Sequence, residues 1–391
     1  MLPFWGTVTA LGPLLAYEVD LNRVTGLAVL LLLALASLRT VPALSHSLLL
    51  LVASIVVGHA LGDGDDPHGL SQSILYLSAV MLFVYVADST NELWRQITLF
   101  VALKILALLV TLILCLLAVQ GSGINLVANP PVFLHTRLLG MSAFYALVLL
   151  LVVVAHASST KARPRMALIL ILGTSMLVGY FTAWFAARGS LVALILFLAT
   201  AWIFVPQHRG ITSVTTFALI AGMVLCLMVG ETDYLARRLS RNHQDFNSVT
   251  SGRWMIWKEC FDWWISSPRN LLFGAGPDAF RLEAWTGRDN RAIQPHNVIV
   301  QIALEWGAIG LGVATMLLSI LLRRVISLLR TASSAGWQKI VACSIPALIT
   351  YALVDGIFYH AVSILPAAIL FGLLFGATNR KVEQVNLLPD H

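Results

Sequence analysis

The sequence predicts an all-α, polytopic membrane protein with about twelve transmembrane helices. Of its 391 residues, 58% are hydrophobic and only 11% are charged, whereas soluble domains average about 25% charged residues. Long apolar runs recur along most of the chain, and a segment inside a bilayer must satisfy its own backbone polar groups, as a helix does. We therefore expect a single integral membrane domain over residues 1–391.

Apolar stretches define the predicted spans in order along the chain. The first nine lie near residues 3–17, 23–38, 44–61, 72–87, 97–119, 138–158, 166–187, 190–206 and 211–230. A long polar segment, residues 231–296, follows them. The last three spans lie near residues 297–321, 338–357 and 360–377.

Basic residues in the short connections predict the orientation of the chain. With the N-terminus in the cytoplasm, the inside segments hold twelve Lys and Arg residues, and the short outside segments hold only Arg23, Arg137 and Arg188. Both termini are then cytoplasmic, and residues 231–296 form a large loop on the outer side. This bias also explains the net charge of +6, so no nucleic acid partner is expected.

The polar segment contains a predicted helix and a predicted turn. Between Trp254 and Trp264, apolar residues recur with +3, +4, +3 spacing at Trp257 and Phe261, which is typical of an amphipathic helix. Residues 273–277, Phe-Gly-Ala-Gly-Pro, predict a tight turn. The tryptophans of this region form either an interfacial aromatic belt or platforms that stack on sugars and shield a lipid.

Two arginines are candidate anion ligands. Arg188 lies where two predicted spans meet at the outer face, and it either snorkels from a helix end or binds an anion in an outward cavity. Arg253 lies near the start of the amphipathic helix, and it is either a solvated loop residue or a second phosphate ligand aided by the helix dipole. Guanidinium suits phosphate because its planar donors match two oxygens at once.

His296 is the candidate general base, because an unperturbed imidazole accepts a proton near neutral pH. It follows a proline and precedes Asn297 at the mouth of a span, so the alternative is a capping or interfacial histidine. Asp355 is either a helix-end residue or the partner that orients His296 or an arginine. No second histidine or carboxylate neighbours His296 in the sequence, and no metal site is expected.

Other polar residues have weaker signals. Arg137, Trp254 and Trp257 are further candidates for substrate binding on the outer side. Lys104 and Glu305 lie inside predicted spans and are expected to be structural: Lys104 could snorkel, and Glu305 could line the floor of a cavity two turns below His296. Two arginines, one histidine and one aspartate thus map to the outer face, which suits an enzyme that handles an anionic, lipid-linked substrate.

Four motifs resemble the O-antigen ligase and polymerase superfamily. They are Ser-Gly-Arg-x3-Trp at Ser251–Trp257, the LLFGAGPDAF segment at Leu271–Phe280, Pro-His-Asn-x3-Gln-x3-Glu-x-Gly-x2-Gly-Leu at Pro295–Leu311, and Ala-Arg-Gly-Ser-Leu-Val-Ala-Leu at Ala187–Leu194. The last departs from the family pattern, because Ala187 replaces a serine that often precedes the arginine.

The resemblance implies a GT-C-like glycosyltransferase fold and transfer of a glycan from undecaprenyl diphosphate, without a metal or nucleotide cofactor. By position in the motifs, Arg188 and Arg253 would hold the diphosphate, His296 would assist the acceptor hydroxyl, and Asp355 would match an acidic residue of the last outer loop. For a ligase, the acceptor would be lipid A-core oligosaccharide, and the reaction would belong to lipopolysaccharide biosynthesis. The resemblance further implies that the protein lies in the bacterial inner membrane, with its site facing the periplasm.

Several alternatives stay open within and beyond this superfamily. A polymerase uses another lipid-linked repeat as acceptor; the short loop over residues 120–137 favours the ligase, since polymerases often have two sizeable outer loops. A protein O-oligosaccharyltransferase is a third member. A transporter or channel would need ionisable residues along the whole membrane depth, and only Lys104 and Glu305 lie clearly inside predicted spans. Broken helices at matching places in two halves, the usual sign of a transporter, are not found in the sequence. Membrane lipids are expected partners, and the chain is expected to be a monomer or a homodimer.

Overall fold

The computed structural model describes residues 67–88, 92–122, 136–158, 164–185, 187–229, 253–282 and 294–386. All regular structure within these ranges is helical, so the all-α prediction is confirmed for them. The predicted spans near residues 3–17, 23–38 and 44–61 lie outside the described residues, and the total of twelve spans therefore stays a prediction.

The described α-helices are numbered in chain order. They are α1 (Pro67–Asp88), α2 (Glu92–Ser122), α3 (Thr136–Ser158), α4 (Pro164–Trp184), α5 (Arg188–Phe204), α6 (Arg209–Val229), α7 (Arg253–Trp264), α8 (Pro268–Phe273), α9 (Ala279–Leu282), α10 (Val298–Arg330), α11 (Gly336–Val354) and α12 (Ala361–Asn386). A 3-10 turn, Pro206–His208, joins α5 to α6. Each of the nine predicted spans in the described ranges corresponds to one helix, and α7–α9 belong to the polar segment.

The chain is a membrane protein. In the described part, six helices (α2, α3, α4, α6, α10 and α11) are long and apolar enough to cross a bilayer. Shorter apolar stretches occupy Leu75–Ala87, Arg188–Phe204 and Val362–Gly376. Large apolar side chains cover the outside of the bundle, for example Ile169 at 63% and Phe217 at 72% exposure, which fits contact with lipid.

Two helices, α3 and α11, form the centre of the bundle. Residues 139–152 of α3 are buried without interruption, and α3 packs against α2, α4, α5, α11 and α12. In turn, α11 packs against α3, α5, α10 and α12. The short helices α7, α8 and α9 all pack against α10. Since α10 also contacts α11, the helices α7–α9 are brought close to the central helix.

The longest helix, α10, is broken at Gly307. The φ of 64° and ψ of −160° at this residue interrupt the helix just after Trp306. A positive φ of this size favours glycine. The stretch from Ala308 to Arg330 is still about 34 Å long and can cross a bilayer by itself. The break therefore separates a membrane-crossing part from a short first arm, Val298–Trp306.

The predicted turn at residues 273–277 is confirmed, and it packs on this break. Its Ala275 and Gly276 N–H groups donate to the carbonyl oxygens of Leu304 and Glu305 at 2.8 and 3.0 Å. These carbonyls precede the break, where the regular helical pattern no longer supplies donors. The turn thus satisfies backbone groups that would be costly to leave unpaired in a buried place.

The predicted amphipathic helix is confirmed as α7, but its most buried face differs from the apolar stripe seen in the sequence. Ile256 and Cys260 are buried against α9 and α10, whereas Trp254 and Phe261 are 45% and 53% exposed. Pro268 does not lie in this helix, since it is the first residue of α8 and follows the capping residue of that helix.

We expect Gly307→Ala to lower the free energy of unfolding by at least about 2 kcal/mol, because a non-glycine residue at positive φ is strained. Its Cβ would also lie 2.4 Å from the Leu272 backbone. Gly312→Ala in the same helix is the matched control, since a Cβ there meets no atom within 4 Å and alanine favours a helix. Thermal unfolding of the purified proteins measures both; equal stability of the two variants would contradict this packing.

Candidate active site

The C-terminal end of α11 brings residues from distant parts of the chain together. The last carbonyls of an α-helix have no partners within the helix. At α11, Asn297 Nδ2 donates to the Leu353 carbonyl at 3.0 Å, and Arg253 Nη1 donates to the Val354 carbonyl. A cation also suits the negative end of a helix dipole. Two segments of the polar region are therefore fixed to one helix end.

His296 lies beside Asp355 at this same end. Nδ1 of His296 is 3.2 Å from Oδ1 of Asp355, and the two side chains are only 11% and 8% exposed. The Asp355 carboxylate also accepts a hydrogen bond from the Gly356 N–H at 2.9 Å. A neutral imidazole that donates from Nδ1 has Nε2 as its basic nitrogen. This is the geometry expected of a histidine oriented by a carboxylate, which is one of the alternatives that the sequence left open for Asp355.

The backbone of His296 has a strained conformation that its neighbours hold in place. Its φ is 57°, and a non-glycine residue in this region costs about 1–3 kcal/mol. Before it, Trp257 Nε1 donates to the Pro295 carbonyl at 2.8 Å. After it, Asn297 caps α10 by accepting from the Ile299 N–H at 2.9 Å. The contacts on both sides fix where the imidazole points.

Arg188 is brought to the same helix end from α5. It is the first residue of α5 and is exposed. At the next residue, Gly189, an added Cβ would lie 2.9 Å from the Tyr351 ring and 3.4 Å from a methyl group of Val354. The start of α5 therefore packs on the last turn of α11. The structure thus places Arg188, Arg253, His296 and Asp355 around one helix end.

The other predicted substrate residues differ in their surroundings. Arg137 lies in the first turn of α3, and its side chain lies outside the described residues. Three residues later, a Cβ on Gly140 would be 3.0 Å from the Ala187 Cβ, so this part of α3 is next to the start of α5. Trp257 is half-buried and holds Pro295, a structural contact that the sequence did not predict. Trp254 is exposed.

The two polar residues predicted inside spans are both buried. Lys104 does not snorkel: it is fully buried in α2, its Nζ donates to Ser142 Oγ at 3.3 Å, and it lies 5.4 Å from the centre of the Phe100 ring. Glu305 is 2% exposed and is bonded to protein groups rather than lining an open floor.

Glu305 and Asp278 belong to a buried polar network next to the site. The Tyr76 hydroxyl donates to Glu305 Oε2 at 3.0 Å, and Gln301 Nε2 donates to Oε1 at 3.1 Å. The Asp278 N–H lies 3.4 Å from the same Oε1. The Tyr359 hydroxyl donates to Asp278 Oδ1. Since Tyr359 lies in the short connection that also carries Asp355, the network joins α1, α10 and that connection.

Sequence reasoning missed most of these supporting residues. Asn297 could have been found, because an Asn just before a helix is a common N-cap. Gln294, whose Nε2 lies 2.9 Å from Nε2 of His360, and the Tyr76 and Tyr359 contacts have no such signal. They depend on which helices are neighbours, and the spacing of apolar residues does not specify this.

The described residues outside this cluster give little support for other chemistry. Burial raises the pKa of the Cys260 thiol, and the neighbouring Glu259 carboxylate adds to this shift, so a thiolate is disfavoured on α7. Within the described ranges, no group of three or more His, Cys, Asp or Glu side chains is placed to hold a metal ion. The absence of a cofactor stays a prediction.

Substitutions at Asn297 test the connection between α10 and α11. Asn297→Asp keeps the capping oxygen but loses the donor to the partly buried Leu353 carbonyl, and a hydrogen bond of this kind contributes about 0.5–1.5 kcal/mol. Asn297→Ala loses the cap as well, for about 1 kcal/mol more. We expect stability to fall from wild type to Asp to Ala in thermal unfolding. An Asp variant as stable as wild type would argue against the bond to Leu353.

Comparison with known families matches the central part of the chain. The O-antigen ligase family model matches residues 174–315, from the middle of α4 to the middle of α10. This range contains Arg188, Arg253 and His296, whereas Asp355 lies beyond it. A search of curated proteins found no match. The resemblance predicted from the motifs is confirmed over residues 174–315, where the chain is similar to the O-antigen ligase family.

Proposed function

We propose that the chain is an O-antigen ligase that transfers a glycan from undecaprenyl diphosphate to lipid A-core oligosaccharide in lipopolysaccharide biosynthesis. The observation that carries the proposal is the 3.2 Å contact between His296 and Asp355 at the helix end that Arg253 also binds. An oriented base beside guanidinium groups suits attack of a sugar hydroxyl on a carbon bonded to a diphosphate. The family match over residues 174–315 supports the reaction class.

In the proposed reaction, His296 Nε2 takes the proton of the acceptor hydroxyl while its oxygen bonds to the anomeric carbon of the donor. The bond from that carbon to the diphosphate oxygen breaks, and the diphosphate leaves as an anion. Arg188 and Arg253 stabilise the charge that develops on it. Asp355 stabilises the imidazolium that forms. One direct displacement inverts the anomeric centre, and no step is assigned to a metal or nucleotide.

The remaining predicted residues have supporting parts in this proposal. Arg137 and Trp254 are assigned to contact with the donor. Arg137 lies in the first turn of α3, which is next to the start of α5, and Trp254 is exposed beside Arg253. Trp257 was predicted to bind substrate directly; its bond to the Pro295 carbonyl favours a positioning part, through His296.

The proposed placement follows the basic residues of the connections. The chain lies in the bacterial inner membrane as one domain of twelve spans with a GT-C-like fold. Both termini are cytoplasmic, residues 231–296 are periplasmic, and the cluster at the end of α11 faces the periplasm, where a donor lipid presents its glycan.

A polymerase of the same superfamily is the second candidate, because the family match fits its chemistry equally well. The two differ in acceptor, so the phenotype of a deletion separates them. Loss of a ligase leaves free core and accumulated lipid-linked polymer. Loss of a polymerase leaves core that bears a single repeat.

We expect His296→Ala and Arg188→Ala each to lower glycan transfer at least about 100-fold, since a general base and a charge-stabilising donor each contribute about that much. The assay is the purified protein in liposomes with lipid-linked O-antigen and lipid A-core, with and without EDTA. Arg269→Ala, an exposed arginine on α8, is the control and should transfer normally. Normal activity of purified His296→Ala would remove the base assignment, and loss of activity in EDTA would contradict metal independence.

Asp355→Asn tests the orienting partner. The amide keeps the size of the side chain but no longer stabilises an imidazolium, so we expect kcat to fall at least about tenfold with little change in KM. The exposed Asp262→Asn on α7 is the matched control. A rise in KM with unchanged kcat would instead assign Asp355 to substrate binding.

A further inference from the structure

The exposed half of α7 has two different strips. At about 100° per residue, Trp254, Phe261 and Ile265, the residue that directly follows α7, fall within about 40° of one another. They are 45%, 53% and 51% exposed. The exposed Lys258 and Asp262 follow on one side, at about 40° and 80° from Trp254, and the exposed Met255 lies beyond them at about 100°. We name the three apolar residues the α7 stripe. An apolar strip beside a charged strip, both outside the packed face, is typical of a helix that lies along a membrane surface.

The next helix extends this apolar surface. Leu271 and Leu272 of α8 are 38% and 44% exposed. The two helices are connected through the Trp264 Nε1, which donates to the Leu271 carbonyl at 3.0 Å. Neither helix is long enough to cross a bilayer. Exposed apolar side chains are therefore concentrated in a part of the polar segment that contains no span.

The first arm of α10, Val298–Trp306, lies at the membrane boundary rather than deep within it. At its start, Asn297 is bonded to Leu353, the penultimate residue of α11. Towards its end, Glu305 is bonded to Tyr76. Tyr76 lies one turn after Gln72, whose Nε2 donates to the Tyr359 carbonyl in the connection after α11. The start of the arm thus contacts the C-terminal end of α11, and the end of the arm contacts the N-terminal half of α1, close to the connection after α11.

The part of α10 after Gly307 reaches about 34 Å and needs no help from the arm to cross the bilayer. Since α7 and α8 pack against α10, and the turn after α8 bonds to the arm at Leu304 and Glu305, these helices lie at the same boundary. Their exposed apolar side chains are next to the lipid-facing surface of the bundle. Ile299 and Ile309 of α10 belong to that surface and are 52% and 45% exposed.

We propose that the α7 stripe docks into the bilayer leaflet at the Asp355 end, with Phe261 and Ile265 among the acyl chains and Lys258 and Asp262 towards the headgroups. Trp254 suits the boundary between acyl chains and headgroups, because its ring is apolar and its N–H is polar. The strip of charges keeps the helix at the surface and prevents deeper insertion.

The docking has a consequence for the site that rests on the proposed function. Arg253 is the first residue of α7, so a helix held in the leaflet sets the height of its guanidinium above the acyl chains. The phosphates of a lipid-linked donor lie at the same height. The surface therefore selects a donor that is presented from the membrane, and it favours a long acyl or polyprenyl anchor over a soluble sugar diphosphate.

The test is photo-crosslinking of the full chain in vesicles of phosphatidylethanolamine and phosphatidylglycerol that contain no donor. A benzophenone amino acid replaces Phe261, Ile265, Lys258 or Asp262, one at a time. We expect phospholipid adducts, detected by mass, to be at least about fivefold more frequent at 261 and 265 than at 262, with position 258 intermediate. Equal yields at all four positions would overturn the proposal, as would protein–protein products at 261 and 265, which would indicate a second copy on this surface.

A second measurement separates the docking from the transfer reaction. The His296→Ala variant that carries the probe at position 261 should form the same lipid adducts while it loses glycan transfer. Missing adducts would therefore contradict the docking, and normal transfer would contradict the proposed function. Phe261→Glu with Ile265→Glu should raise the KM for lipid-linked donor about tenfold or more, with kcat nearly unchanged. Lys258→Glu is the control and should leave KM near the wild-type value; an unchanged KM in the double variant would overturn the link between docking and donor binding.

Discussion

The end of α11 is the constraint on which the rest of the site depends. The end of a helix leaves carbonyl groups that have no donors within the helix. Arg253 and Asn297 supply donors to two of these carbonyls, and Asp355 holds His296 next to them. The same interactions that complete the backbone of a central helix therefore gather the candidate catalytic residues, so stability and site geometry are coupled.

A second constraint is the break in α10. An uninterrupted helix of this length would carry the start of α10 away from the membrane boundary, together with His296. The non-helical backbone at Gly307 allows the first arm to follow a different direction from the membrane-crossing part. The Gly274–Pro277 turn supplies the missing donors, and the network around Glu305 fixes the arm to α1. The break and its supports thus keep His296 near Arg188 of α5 and Arg253 of α7.

Much of this arrangement was predictable from the sequence, for identifiable reasons. The thickness of a bilayer imposes long apolar runs, so the described spans and the turn at residues 273–277 were found correctly. Positive charges and motif order indicated His296, Arg188, Arg253 and Asp355 as a set. The buried side of α7 was not predictable, because its exposed Trp254 and Phe261 are as apolar as its buried Ile256 and Cys260. The Glu305–Tyr76 contact spans 229 residues, and a single sequence has no signal for such a pairing.

The distances along the chain between the site residues and their partners determine when the site can form. Arg253 and Asn297 are separated from their carbonyl partners on α11 by 101 and 56 residues. During synthesis, both segments are made and inserted long before the helix end that will hold them. A chain that stops before α11 would retain all of the family-matched range, residues 174–315, without the carboxylate or the two carbonyls. The matched range therefore does not contain the whole proposed site, because Asp355 and the carbonyls of α11 lie beyond it.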